Sequence, residues 1–123
     1  MGKAKILIVE DESTIAKCLK LILSQVGYRI VDIVASGEEA VDITLKTRPD
    51  LVLMDIKLRG ENDGIAAFEQ IRKSTHVPVV FVSAYADKAF IDRVMLMNPS
   101  GYVVKPFKHA TLLHAVETAL AGH

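Results

Sequence analysis

Five short apolar runs alternate with longer amphipathic stretches along the whole chain, and this rhythm restricts the fold more than any other feature. The runs are Ile6 to Val9, Ile30 to Val34, Leu51 to Met54, Val79 to Val82 and Tyr102 to Val104. Rich in valine and isoleucine, they read as strands, and most lack the polar alternation of a sheet with one wet face. Between them, Ile15, Leu19, Ile22 and Val26 recur at helical spacing, with Gly27 where a helix C-terminal glycine belongs. Ser36 and Glu39 form a capping box that opens a second helix, and Pro49 stops it. A third helix is expected from about Asp63 to Lys73, a fourth near 86–97 and a fifth near 108–121, the last with Leu112, Leu113, Val116 and Leu120 inward. Strict alternation implies right-handed crossovers, hence a parallel sheet covered on both faces: a doubly wound (βα)5 fold of the α/β class. No low-complexity segment interrupts the rhythm, so residues 1–123 read as one domain.

Fifteen Lys and Arg balance fifteen Asp and Glu, which supplies none of the basic excess that direct nucleic-acid or anionic-membrane binding needs. A single cysteine, Cys18, excludes an internal disulfide; beside the first helix's apolar stripe it is expected to be a packed small residue. With neither a signal-peptide pattern nor an apolar run of about 18 residues, the chain reads as soluble and cytoplasmic. His76, His109, His114 and His123 lack i, i+4 spacing and read as solvated groups instead of metal ligands.

In doubly wound folds, ligands sit beyond the carboxyl ends of the strands. There the sequence places Glu10-Asp11-Glu12, Asp55, Ser83-Ala84 and Lys105-Pro106. Glu10, Asp11 and Asp55, if ionised, leave a surplus of negative charge beside Lys105 that one divalent cation would cancel. Hard carboxylate oxygens without histidine or thiol partners favour Mg²⁺ or Mn²⁺. The alternative is that the acids at 10–12 simply decorate a helix N-terminus, where the helix dipole stabilises them.

These residues carry a resemblance. Ile-Leu-Ile-Val-Glu-Asp-Glu at 6–12, Leu-Val-Leu-Met-Asp-Ile at 51–56, Asp-Gly at 63–64, Ser-Ala at 83–84 and Lys-Pro-Phe at 105–107 together resemble the CheY-like response regulator receiver domains, along essentially the whole chain. The resemblance, not the spacing, supplies strand order 2-1-3-4-5, for which that family is itself a standard example. It implies that Asp55 is the phosphoacceptor for a phosphohistidine on a sensor kinase or phosphotransfer protein. It implies that Asp11 coordinates Mg²⁺ directly, that Glu10, where the family usually has aspartate, holds it through water, and that the Lys57 backbone carbonyl completes the protein ligands. Lys105 and Ser83 would contact phosphoryl oxygens, Tyr102 would be the switch aromatic that follows Ser83, and the Lys105-Pro106 bond would be cis. Phosphorylation would then change the surface of the fourth helix, fifth strand and fifth helix, open to an output partner or a homodimer mate. Phe90, Ile91, Val94, Met95, Leu96 and Met97 are more apolar groups than one inward stripe needs, and they face either such a partner or a neighbouring helix.

The segment between Asp55 and Gly64 departs from the family by being somewhat longer and lacking its usual proline. Lys57 and Tyr85, two residues after Asp55 and Ser83, border the path of a hydrolytic water; their bulk, without a carboxylate to orient that water, predicts slow self-dephosphorylation. A rival reading is an aspartate-nucleophile phosphatase of haloacid-dehalogenase type. Such enzymes place a second aspartate two residues after the nucleophile, where this chain has Lys57. A flavodoxin-like flavin site would need a Ser/Thr-rich phosphate loop after the first strand, and Glu10-Asp11-Glu12 would repel phosphate.

Overall fold

Each apolar run forms a strand and each amphipathic stretch a helix. The computed structural model describes residues 3–60 and 63–122. In chain order they form β1 (Lys5–Val9), α1 (Ser13–Gln25), β2 (Arg29–Val34), α2 (Gly37–Thr47), β3 (Leu51–Met54), α3 (Gly64–Ser74), β4 (Val79–Ser83), α4 (Lys88–Met95), β5 (Gly101–Val104) and α5 (His109–Ala121). The strands pair in parallel in the order β2-β1-β3-β4-β5. Because β1 leads to β2 on one side and β3 lies on the other, the strand order reverses between β1 and β3, which opens a crevice at their carboxyl ends.

Alternating residues of the sheet feed two cores. Ile6, Ile8, Leu51, Leu53, Val80 and Val82 face α1 and α5, while Leu7, Val9, Val52, Met54 and Phe81 face α2, α3 and α4. Burial on both faces explains the uniformly apolar runs. Local signals set the helix ends. The Glu39 amide donates to the N-cap Ser36 Oγ at 3.2 Å, the first half of a capping box, while the Glu39 carboxylate reaches one residue further back and accepts from the Ala35 amide at 3.3 Å and from Ser36 Oγ at 3.1 Å. Asp63 caps α3 through the Ala66 amide at 2.9 Å. Arg48 ends α2 in the left-handed region (φ 47°) immediately before Pro49, and Gly27 ends α1 with φ 96°.

Four expectations need correction or narrowing. Val26 is not part of the inward stripe of α1: it is the C-cap and 40% exposed, and Leu23 fills the inner position instead. Cys18 is exposed, not packed, because it lies one position off the stripe of Ala16, Leu19 and Leu23. In α5, Leu112 and Val116 are buried, while Leu113 and Leu120 are half-buried flanks. The fourth helix is shorter than 86–97; Asp87 caps it, Val94 is its one buried residue, Phe90 and Met97 pack against the core, and Met95 and Leu96 are exposed. His76, His109 and His114 are exposed as expected, and His123 lies outside the described residues.

Candidate functional site

The hydrogen-bond ladder continues one residue past three strand ends and delivers the site. The Glu10 amide donates to the Val34 carbonyl at 2.9 Å, the Asp55 amide to Val9 at 2.9 Å and the Lys105 amide to Ser83 at 2.8 Å. Backbone pairing thus holds Glu10, Asp55 and Lys105 at one level of the sheet's carboxyl edge. Ser83 ends β4 beside them.

Lys105 Nζ donates to Glu10 Oε1 at 2.6 Å and to Asp55 Oδ2 at 3.1 Å, with the Glu10 side chain 2% exposed and that of Asp55 10%. The other oxygens are also engaged: Asp55 Oδ1 accepts from the Ile56 amide at 2.7 Å and Glu10 Oε2 from the Glu12 amide at 3.2 Å. Burial pushes the Glu10 carboxyl up to about 7, the Lys105 hydrogen bond opposing the rise and the Asp55 charge adding to it. Burial alone would lower the Lys105 ammonium, but the Glu10 and Asp55 carboxylates outweigh it and hold it above its ordinary value.

Oxygens of Glu10, Asp11 and Asp55 lie within 4.8 Å of one another. Three carboxylates against one ammonium form a hard-donor set that fits a small divalent cation. Glu10, Asp11, Asp55, Lys57, Ser83, Tyr85 and Lys105 all line one cavity of about 340 Å³, so every candidate phosphoryl, metal or water-path residue borders it and the candidate switch residue Tyr102 does not. Tyr102 stands one shell away: its hydroxyl donates to the Tyr85 carbonyl at 2.7 Å, and its ring lies 6.3 Å from Phe81. Burial raises the Tyr102 phenol, against a lowering hydrogen bond with Ser83. Ser83 Oγ in turn accepts from the Tyr85 amide at 3.1 Å. The Lys105-Pro106 peptide is cis.

Two features of the site escaped the sequence reading. A Cβ on Gly64 would sit 2.0 Å from the Asp55 carbonyl oxygen, and the Gly64 amide donates to the Ile56 carbonyl at 2.7 Å. The start of α3 therefore packs backbone to backbone against the strand end carrying Asp55, a contact that only glycine permits. The segment after Asp55 also folds across to β2, where Arg59 pairs with Ser36 in a parallel bridge and its amide donates to the Ala35 carbonyl at 3.3 Å. Glu61 and Asn62, which belong to this segment, lie outside the described residues.

Strand order, crevice and clustered acids define the receiver class of two-component signalling proteins. The chain belongs to the response regulator receiver domain family, whose profile matches residues 6–117. It is 35% identical, over 95% of its length, to the transcriptional regulatory protein PdtaR of Mycobacterium tuberculosis, of which it covers 57%. The chain thus spans little more than half the length of that relative. Among solved structures it is similar to the signal receiver domain of a modulated diguanylate cyclase from Desulfovibrio desulfuricans G20 (32% identity, TM-score 0.88, 98% of this chain and 95% of that one). It is also similar to the receiver domain of the sensor histidine kinase PA1611 from Pseudomonas aeruginosa PAO1, solved with a magnesium ion in its active-site cleft (29% identity, TM-score 0.87, 98% and 99% covered). Among the described residues no helix is long and apolar enough to cross a membrane.

Proposed function

We propose that residues 1–123 act as a single phosphoacceptor domain that takes a phosphoryl group onto Asp55 from a phosphohistidine of a sensor kinase or phosphotransfer protein, in the cytoplasm. The observation that carries this reading is the position of Asp55, a carboxylate at the floor of an acidic cavity with an ammonium 3.1 Å away. In the transfer, an Asp55 oxygen attacks phosphorus in line, the O–P bond forms as the N–P bond breaks, and the imidazole leaves with that bond's electron pair. Little covalent chemistry falls to the protein, so catalysis is positioning plus neutralisation of the equatorial oxygens. Lys105 would trade its carboxylate partners for one phosphoryl oxygen, and Ser83 would donate to another.

Glu10, Asp11, Asp55 and the Lys57 carbonyl would hold Mg²⁺, with Mn²⁺ a substitute of the same hard-donor class. When bound, the ion supplies charge neutralisation at the phosphoryl oxygens. The magnesium in the similar PA1611 receiver supports this assignment. Ser83 and Tyr102 would relay the change to the surface of α4, β5 and α5, where exposed Met95 and Leu96 are open to an output partner or a second copy. The phosphatase alternative draws no support from the site, because Lys57 stands where its acid–base aspartate belongs.

Incubation with phosphoramidate or acetyl phosphate and Mg²⁺ tests the reading. Intact mass should show one added phosphoryl group, absent in Asp55→Asn. Equal labelling of that variant would overturn the assignment.

A further inference from the structure

Among the helices α4 is the least anchored, burying Val94 alone where α3 buries Gly64, Ala67, Phe68 and Ile71. A helix with so little buried surface takes its position from contacts at its ends. At the N-terminal end, Asp87 caps the Phe90 amide at 3.0 Å and the Phe90 ring lies 5.2 Å from that of Tyr85. The Tyr85 carbonyl accepts the Tyr102 hydroxyl and its amide donates to Ser83, so this end hangs on residues bordering the phosphoacceptor cavity.

The C-terminal end is held differently. Arg72, from α3, donates to the carbonyl of Met97 and, at 2.6 Å, to that of Asn98. Its guanidinium stacks on Phe68, 4.6 Å from the ring centroid, and Phe68 and Ile71 are 3% and 1% exposed. The fork therefore stands on a rigid base. Its planar donors reach two neighbouring carbonyls at once, and its charge complements the negative end of the helix dipole. Just beyond, the Ser100 amide donates to Val79 at 2.8 Å, which ties the connection to β4.

We infer that Arg72 is a positioning residue that pins the C-terminal end of α4, making residues 96–98 the pivot about which the helix answers the phosphoacceptor site. This deepens the proposed function and rests on it for the stimulus, though not for the pinning. Nothing in the clamp touches the cavity, so its loss changes where α4 moves and leaves the chemistry at Asp55 alone.

The test uses the whole chain, with Arg72→Met keeping the stem over Phe68 and Arg72→Lys keeping the charge without the fork. In the unmodified protein, hydrogen exchange at the amides of Leu96, Met97 and Asn98 should be slower than at the first turn of α4. Arg72→Met should speed it roughly tenfold, the scale of one net hydrogen bond, with Arg72→Lys in between. With beryllofluoride and Mg²⁺ as phosphoryl mimic, amide shift changes should concentrate at 84–93 in the wild type and extend through 95–98 in Arg72→Met, while phosphoramidate labelling stays within about twofold. Unchanged exchange at 96–98 in Arg72→Met, or wild-type shifts largest at 96–98, overturns the inference. If beryllofluoride moves nothing and Asp55 takes no label, the phosphoacceptor reading fails, and the exchange measurements still decide the pinning.

Discussion

Lys105 lies closer to Glu10, at 2.6 Å, than to Asp55, at 3.1 Å. The longer glutamate at position 10 lets its carboxylate reach the ammonium that the proposed transfer needs for a phosphoryl oxygen. Shortening it by one methylene should free Lys105. Glu10→Asp is expected to label from phosphoramidate roughly fivefold faster, the scale of weakening one competing charge-assisted hydrogen bond. Time-resolved intact mass reads the rate; slower labelling would mean that the long side chain positions Lys105 productively.

Glu10 is already committed to Lys105 and to the Glu12 amide, whereas Asp11 is half-buried at the cavity wall. Asp11→Ala should therefore weaken Mg²⁺ binding by at least about tenfold and Glu10→Ala by less. Calorimetric titration of the metal gives both constants. The reverse order would exchange the two roles.

Ser83 lines the same cavity as Asp55 and accepts from the Tyr85 amide, whose carbonyl accepts from Tyr102. A phosphoryl group shifts a two-state equilibrium only through contacts that differ between the states. Ser83→Ala should still label at Asp55 but show amide shift changes at Tyr102 and along α4 reduced to under about half of wild type. Undiminished shifts would remove Ser83 from the relay.

Lys57 and Tyr85 both line the cavity above Asp55, and Tyr85 is 45% exposed. On the proposed reading, water attacking the aspartyl phosphate would pass beside them. Lys57→Ala/Tyr85→Ala should lose phosphate at least roughly threefold faster than the wild type, as followed by the decay of the phosphorylated mass. An unchanged decay removes these side chains from the water's path.

Gly64→Ala should be costly out of proportion to one methyl group, since the new carbon meets the Asp55 carbonyl oxygen at 2.0 Å. A loss of more than about 2 kcal/mol is expected from the forced separation of α3 from β3. Urea denaturation measures it, and labelling at Asp55 should fall as well because the displaced backbone is that of the proposed acceptor.

The sequence made most of the fold legible, because its signals are local and agree with one another. The strands, the Ser36–Glu39 box, the start of the third helix near Asp63 and the stops at Gly27 and Pro49 can all be read within a few residues. Periodicity failed where it says nothing of where a helix ends, so Val26 was placed on a stripe although it caps the helix. It failed again for Cys18, one position from the buried face. The cavity residues were legible because strand ends share one edge of a parallel sheet. The backbone contact at Gly64, the Arg59–Ser36 bridge and the Arg72 fork were not, since each joins segments whose approach depends on how loops and helices pack.

The ion pair between Lys105 and Glu10 spans 95 residues, from the end of β1 to the end of β5, an edge strand whose one ladder partner in the sheet is β4. Closing a contact so distant along the chain costs loop entropy that nearer contacts do not. Until β5 docks, the acids face one another without their ammonium. On the proposed reading, competence to receive a phosphoryl group therefore depends on an edge strand, so a copy in which β5 has come away from β4 has the acids without their ammonium and is expected not to label.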